Sequence, residues 1–114
     1  MAKRIAFIRP TSVADDNPAQ FDMLRRFADA DTVLEMFHLS SVPGDILYYL
    51  PKHIIELALF EVIPNLEAEG FDAAIIGCCY DPGVRISREL VSMPVVGPLE
   101  ASVNFASYRR SEAA

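Results

Sequence analysis

The chain has no surplus of positive charge: ten Lys and Arg face sixteen Asp and Glu, a formal net charge of −6. Such a balance offers little to a nucleic acid or an anionic membrane, and neither is expected as a partner. Long hydrophobic runs are missing too. Met1-Ala2-Lys3-Arg4 followed by Ile5-Ala6-Phe7-Ile8 resembles the start of a signal peptide, but Arg9-Pro10 ends the run before it reaches the length of a leader core. No other stretch approaches membrane-spanning length. The two cysteines, Cys78 and Cys79, are neighbours and cannot build a secreted disulfide framework. A cytoplasmic protein is expected. There is no glycine-rich phosphate loop, and the first strand ends in Arg9-Pro10 where a receiver-type module would carry acids. Repeats, linkers and low-complexity tracts are absent as well. What is present is a core: 52% apolar residues in 114 fit one domain, which at this size buries roughly two-thirds of its unfolded surface.

In chain order, Lys3 to Arg9 is a short apolar strand, followed by a polar loop through Pro10-Thr11-Ser12 and Asp15-Asp16-Asn17. Asn17 or Asp16 caps a helix from about Pro18 to Asp29; Asp15 and Asp16 serve capping and solvation rather than catalysis. Thr32 to Leu39 is a second strand, with His38 at its end, where a satisfied structural histidine is preferred over a ligand contact. Ser40 and Ser41 could donate to a substrate oxygen, and Tyr48-Tyr49 suit packing or an interface. A helix then spans about Pro51 to Glu69, with Gly70 as its C′ residue and a kink expected at Pro64. Its Ile54, Ile55, Leu57, Leu59, Phe60, Val62, Ile63 and Leu66 leave no wide polar face, so a second body is expected to cover what the sheet does not. After Gly97-Pro98 a last helix runs to Tyr108, and Arg109 to Ala114 reads as a frayed polar tail.

The stretch Phe71 to Gly97 organises the rest. Ala73-Ala74-Ile75-Ile76 is a continuous apolar run, as in a parallel strand covered on both faces. Asp81-Pro82-Gly83 opens a helix, with Asp81 as N-cap and Pro82 in its first position. Ser92-Met93-Pro94 ends it, and Val95-Val96 is the fourth strand. Cys78 and Cys79 lie between strand and helix, where the helix dipole would favour the thiolate and lower the thiol pKa. A buried structural cysteine is the competing reading. The alternation βαβαβαβα with right-handed crossovers predicts an α/β, flavodoxin-like, four-stranded parallel sheet in the order 2-1-3-4, with helices on both faces. Strands one and three are then neighbours, and the Thr11-Ser12 and Cys78-Cys79 loops share the crevice where open α/β sheets bind ligands.

Glu69-Gly70-Phe71-Asp72-Ala73-Ala74-Ile75-Ile76-Gly77-Cys78, Tyr80-Asp81-Pro82-Gly83, Arg88-Glu89, Pro94-Val95-Val96-Gly97-Pro98 and Glu100-Ala101-Ser102 together resemble the aspartate/glutamate/hydantoin racemase superfamily, in its hydantoin racemase-like branch. Pro10-Thr11-Ser12 resembles that family's substrate-gripping Asn-Pro-Asn-Thr-Ser loop, with Arg9 in place of the first Asn and a shorter loop. The resemblance implies a cofactor-independent, metal-free isomerase acting on the α-carbon of an amino acid, hydantoin or related small carboxylate. Cys78 matches the catalytic thiol. Thr11, Ser12, Cys79, Tyr80 and Asp81 would border the substrate.

The family places two cysteines on opposite sides of the substrate, one from each of two similar lobes, and residues 1–114 correspond to the first lobe. Cys79 cannot replace the second thiol, because adjacent residues cannot straddle a substrate. A homodimer or a second-lobe partner would therefore complete the site. The alternative is a truncated, non-catalytic half-domain that keeps the fold and a weak carboxylate site.

Overall fold

The computed structural model describes residues 2–11 and 18–113. Ser12, Asp15, Asp16 and the expected cap Asn17 lie outside them. Four strands and four helices alternate: β1 (Lys3–Arg9), α1 (Pro18–Arg26), β2 (Thr32–His38), α2 (Tyr49–Ala68), β3 (Ala73–Ile76), α3 (Val84–Leu90), β4 (Val95–Val96) and α4 (Pro98–Ala113). The sheet is parallel with the order β2-β1-β3-β4. This is the doubly wound arrangement that right-handed crossovers require when the chain steps from β1 to β2 and then back to β3.

Side chains alternate across the sheet, and the register gives each face its own residues. Ala6 pairs with Ala74 and Ile8 with Ile76. On that face all four are fully buried, in one cluster with Ile55, Leu59, Ile63 and Leu66 of α2. These four helix positions, spaced by four or three residues, form a single stripe. On the other face Ile5, Leu34 and Ile75 border an open cavity of about 210 Å³ together with Leu24 of α1 and with Phe27 and Ala28 just past its end. Helices thus lie on both faces, the α2 side being the closely packed one. β1 is central, which is why Ala6, Phe7 and Ile8 are buried in succession.

α2 ends as its sequence predicts. Gly70 has φ +97°, its N–H reaches Glu67 C=O at 3.0 Å, and the Phe71 N–H reaches Leu66 C=O at 3.1 Å. Those two bonds define a Schellman motif, and Phe71 and Leu66 both belong to the core. Pro64 lies inside the helix. α1 is shorter than expected: beyond Arg26 the Phe27 and Ala28 N–H groups turn back to Leu24 and Arg25 carbonyls.

Two expectations at the C-terminal side are corrected. Asp81 does not cap α3, which starts at Val84 after a left-handed Gly83 and has no side-chain cap. The segment 109–113 is not a frayed tail, because α4 continues through Ala113. Residues 101–108 of α4 are exposed throughout. No helix among the described residues is long and apolar enough to cross a membrane.

Candidate functional site

β1 and β3 run side by side to Ile8 and Ile76, and the Gly77 N–H donates to the Ile8 carbonyl at 2.7 Å. The chain therefore leaves the sheet at one place along both strands. Thr11 follows β1 as a half-buried residue, and Cys78 follows β3 at the same carboxyl edge. Gly77 is required at this exit: a Cβ there would collide with the Phe7 ring. Of the expected site residues, Thr11, Cys78, Cys79, Tyr80 and Asp81 thus gather at one edge of the sheet. Ser12 lies outside the described residues.

Cys78 and Cys79 are free thiols, Cys78 half-buried and Cys79 exposed. A tight path holds Cys78: its N–H donates to Ile76 C=O at 2.8 Å, and its own C=O accepts the Asp81 N–H at 3.0 Å. Burial pushes the Cys78 thiol above its ordinary pKa, and the nearby Cys79 and Asp81 charges push the same way. The Tyr80 N–H, donated toward the sulfur, opposes this but is outweighed. The expected lowering of the thiol pKa is therefore reversed. α3 is only seven residues long and begins at Val84, well past Cys78, and a helix dipole fades within the first turn. Desolvation wins.

Asp81 sits at φ +50° and turns its carboxylate away from α3. Its Oδ1 accepts the Leu99 N–H at 2.9 Å and its Oδ2 the Glu100 N–H at 2.7 Å. The thiol loop therefore caps α4, satisfying the N–H groups of Leu99 and Glu100, the first two donors after Pro98, which has none. Arg88 of α3 ties the same corner together. It donates to Glu100 at 3.0 and 2.7 Å and to the Val95 carbonyl at 3.1 and 2.9 Å. These bonds to Glu100 lie behind its lowered carboxyl pKa and the raised Arg88 pKa.

Beside the loop lies an open groove of about 430 Å³, lined by Ile46, Leu47, Tyr48, Tyr49, Lys52 and Tyr80. Tyr48 and Tyr49 are 75% and 76% exposed, so they shape this groove rather than the core. His38, Ser40 and Ser41 are exposed at the same end of the fold, Ser41 with φ +58°. Sequence reasoning passed over Lys52, His53 and Glu56 on the first turns of α2. The available signal was a cluster of charge on a helix otherwise dense in Ile and Leu. Among the described residues no group of three His, Cys, Asp or Glu side chains converges as metal ligands would.

The family described as Asp/Glu/Hydantoin racemase matches residues 5–112. A hydantoin racemase of Rhizobium meliloti is 45% identical over 102 residues, covering 90% of this chain and 42% of that protein. One from Pseudomonas sp. (strain NS671) is 36% identical over 80 residues, 70% of this chain and 32% of the relative. Among solved structures, the allantoin racemase from Klebsiella pneumoniae superimposes with a TM-score of 0.85 at 25% identity, over 94% of this chain and 44% of its own. The chain spans less than half the length of each of these proteins.

Proposed function

Because the chain belongs to the Asp/Glu/hydantoin racemase family, we propose that it forms one wall of a cofactor-independent racemase or epimerase site, with Cys78 as an acid/base group. The observation that carries this reading is the placement of Cys78 at the carboxyl edge of β3, next to the exit of β1. The substrate is an amino acid, a hydantoin or a related small carboxylate, whose α-proton is acidified by the neighbouring carbonyl. Removing that proton leaves an enolate, and a thiol returns a proton to the opposite face of the carbon. A thiol whose pKa is raised is mostly protonated near neutral pH, which suits Cys78 to the donor role. Thr11, Ser12, Cys79, Tyr80 and Asp81 border the substrate, Asp81 with its carboxylate already engaged by α4.

Racemisation also needs a base on the other face. Cys79 cannot supply it, being bonded in sequence to Cys78, so a second copy or a second lobe provides it. The exposed apolar residues support such a partner: Leu50 and Leu57 of α2 are 71% and 69% exposed on the side away from the sheet. A second reading, a non-catalytic half-domain with a weak carboxylate site, is favoured by the raised thiol pKa, which leaves little thiolate to act as a base.

The deciding experiment is deuterium exchange at the α-carbon of 5-substituted hydantoins and amino acids, followed by NMR, with the solution mass measured in the same sample. Exchange by the wild-type chain that is lost in Cys78→Ser is the expected result. A dimer that exchanges no substrate would overturn the catalytic reading in favour of the half-domain.

A further inference from the structure

Glu56 reaches from α2 into the thiol loop. Its side chain is 16% exposed, and both its oxygens are used: Oε2 accepts the Gly83 N–H at 2.9 Å, and Oε1 lies 3.0 Å from Nδ1 of His53. The His53 ring in turn stacks on Tyr49, with centroids 6.5 Å apart and planes 21° apart. A backbone N–H held by a charged acceptor makes a stronger bond than one held by a neutral partner. Gly83, the donor, ends the loop that begins at Cys78. It is left-handed at φ +68°, and the Phe60 ring lies 3.1 Å from where a Cβ would stand, so its position is set by both conformation and space. Little slack separates the two ends. The Asp81 N–H returns to the Cys78 carbonyl, Asp81 is itself at positive φ, and Pro82 is buried. Anchoring Gly83 therefore anchors Cys78.

We infer that Glu56 is the positioning residue of the Cys78 thiol, clamping the far end of its loop to α2 through the Gly83 N–H. The inference rests on the catalytic reading of Cys78 only for its consequence in turnover; the position of the thiol can be measured without it. Releasing the clamp opens the loop to water. Burial is the largest influence holding the thiol protonated, larger than the Tyr80 N–H that opposes it. The released thiol thus moves toward the ordinary value of ~8.5 and reacts faster.

The test is per-site alkylation of Cys78 and Cys79 by iodoacetamide across a pH series, read by mass, on the full chain. Glu56→Ala is expected to speed labelling of Cys78 about tenfold, the scale of one lost charge-assisted bond, and to lower its midpoint. Cys79, already exposed, changes little. Glu56→Gln, which keeps an acceptor oxygen without the charge, labels at a rate between those of the wild type and Glu56→Ala. Glu56→Asp keeps the charge but is one methylene too short; it labels like the alanine variant and decides the matter if Glu56→Ala does not fold. Glu67→Ala is the control, because Glu67 makes comparable bonds from the same helix to Ser92 and Met93, away from the thiol. Its Cys78 rate stays at the wild-type value. Wild-type labelling of Cys78 in folded Glu56→Asp, or equal acceleration in Glu67→Ala, would overturn the positioning role. Absent α-proton exchange with the labelling pattern intact would instead remove the proposed function and leave the clamp standing.

Discussion

The carboxylate of Asp81 lies against the α-carbon of Gly97 so closely that a Cβ at that glycine would occupy the carboxylate's place. From there Asp81 reaches the first N–H groups of α4. The loop carrying the thiol and the last helix of the chain are thus built on one contact.

Gly97→Ala should break that contact. The methyl group displaces Asp81, uncaps α4 and strains the buried corner, at a cost of about 1–3 kcal/mol. Urea denaturation checks the value. Asp81→Asn, which keeps one acceptor oxygen, is expected to lose less than Asp81→Ala.

The raised pKa of Cys78 has a thermodynamic consequence. Between its unfolded and its higher folded value, the folded chain holds the thiol proton while the unfolded chain releases it. Stability linked to this group is therefore complete below the unfolded pKa and is lost as pH rises through the folded one. Unfolding measured at increasing alkaline pH should show this decline, and Cys78→Ala should flatten it. In alkylation, the Cys78 midpoint should lie above the ~8.5 of an ordinary thiol.

Glu67 fastens α2 to the segment entering β4, its Oε2 accepting the Ser92 and Met93 N–H groups at 2.7 Å each. Glu67→Ala leaves both donors without that partner, so a loss of about 1–3 kcal/mol is expected in chemical denaturation.

Arg88→Lys should loosen α4 without unfolding the sheet. Lysine cannot make the paired bonds to Glu100 while also holding the Val95 carbonyl. Faster amide exchange confined to the first turns of α4 is the expected signature. The lowered carboxyl pKa of Glu100 sets the sign with pH: its contribution is present above the ordinary carboxylate range and is lost as pH falls through the lower folded value. The wild-type helix should therefore approach the variant's exchange rates in acid.

Much of this architecture was legible because it rests on local or periodic signals. The continuous apolar runs of β1 and β3 fall where the structure places them, since these are the two inner strands of the sheet and neither is exposed along its apolar run. Gly70 ends α2 because a left-handed residue is needed there. The strand order follows from alternating elements and the handedness of crossovers, so the neighbouring exits of β1 and β3 were accessible as well.

Those features the amino-acid sequence determined by itself. Tertiary structure decided which of several competing partners each polar group took. Asp81-Pro82-Gly83 is a good local helix start, yet the Asp81 carboxylate binds N–H groups 18 and 19 residues further on, because packing brings α4 to it first. Glu56 finds Gly83 across 27 residues, a pairing no spacing rule announces. The direction of the Cys78 pKa was decided in the same way. A helix end is a local property and suggested a fall, whereas burial depends on everything packed around the sulfur, and burial outweighs it.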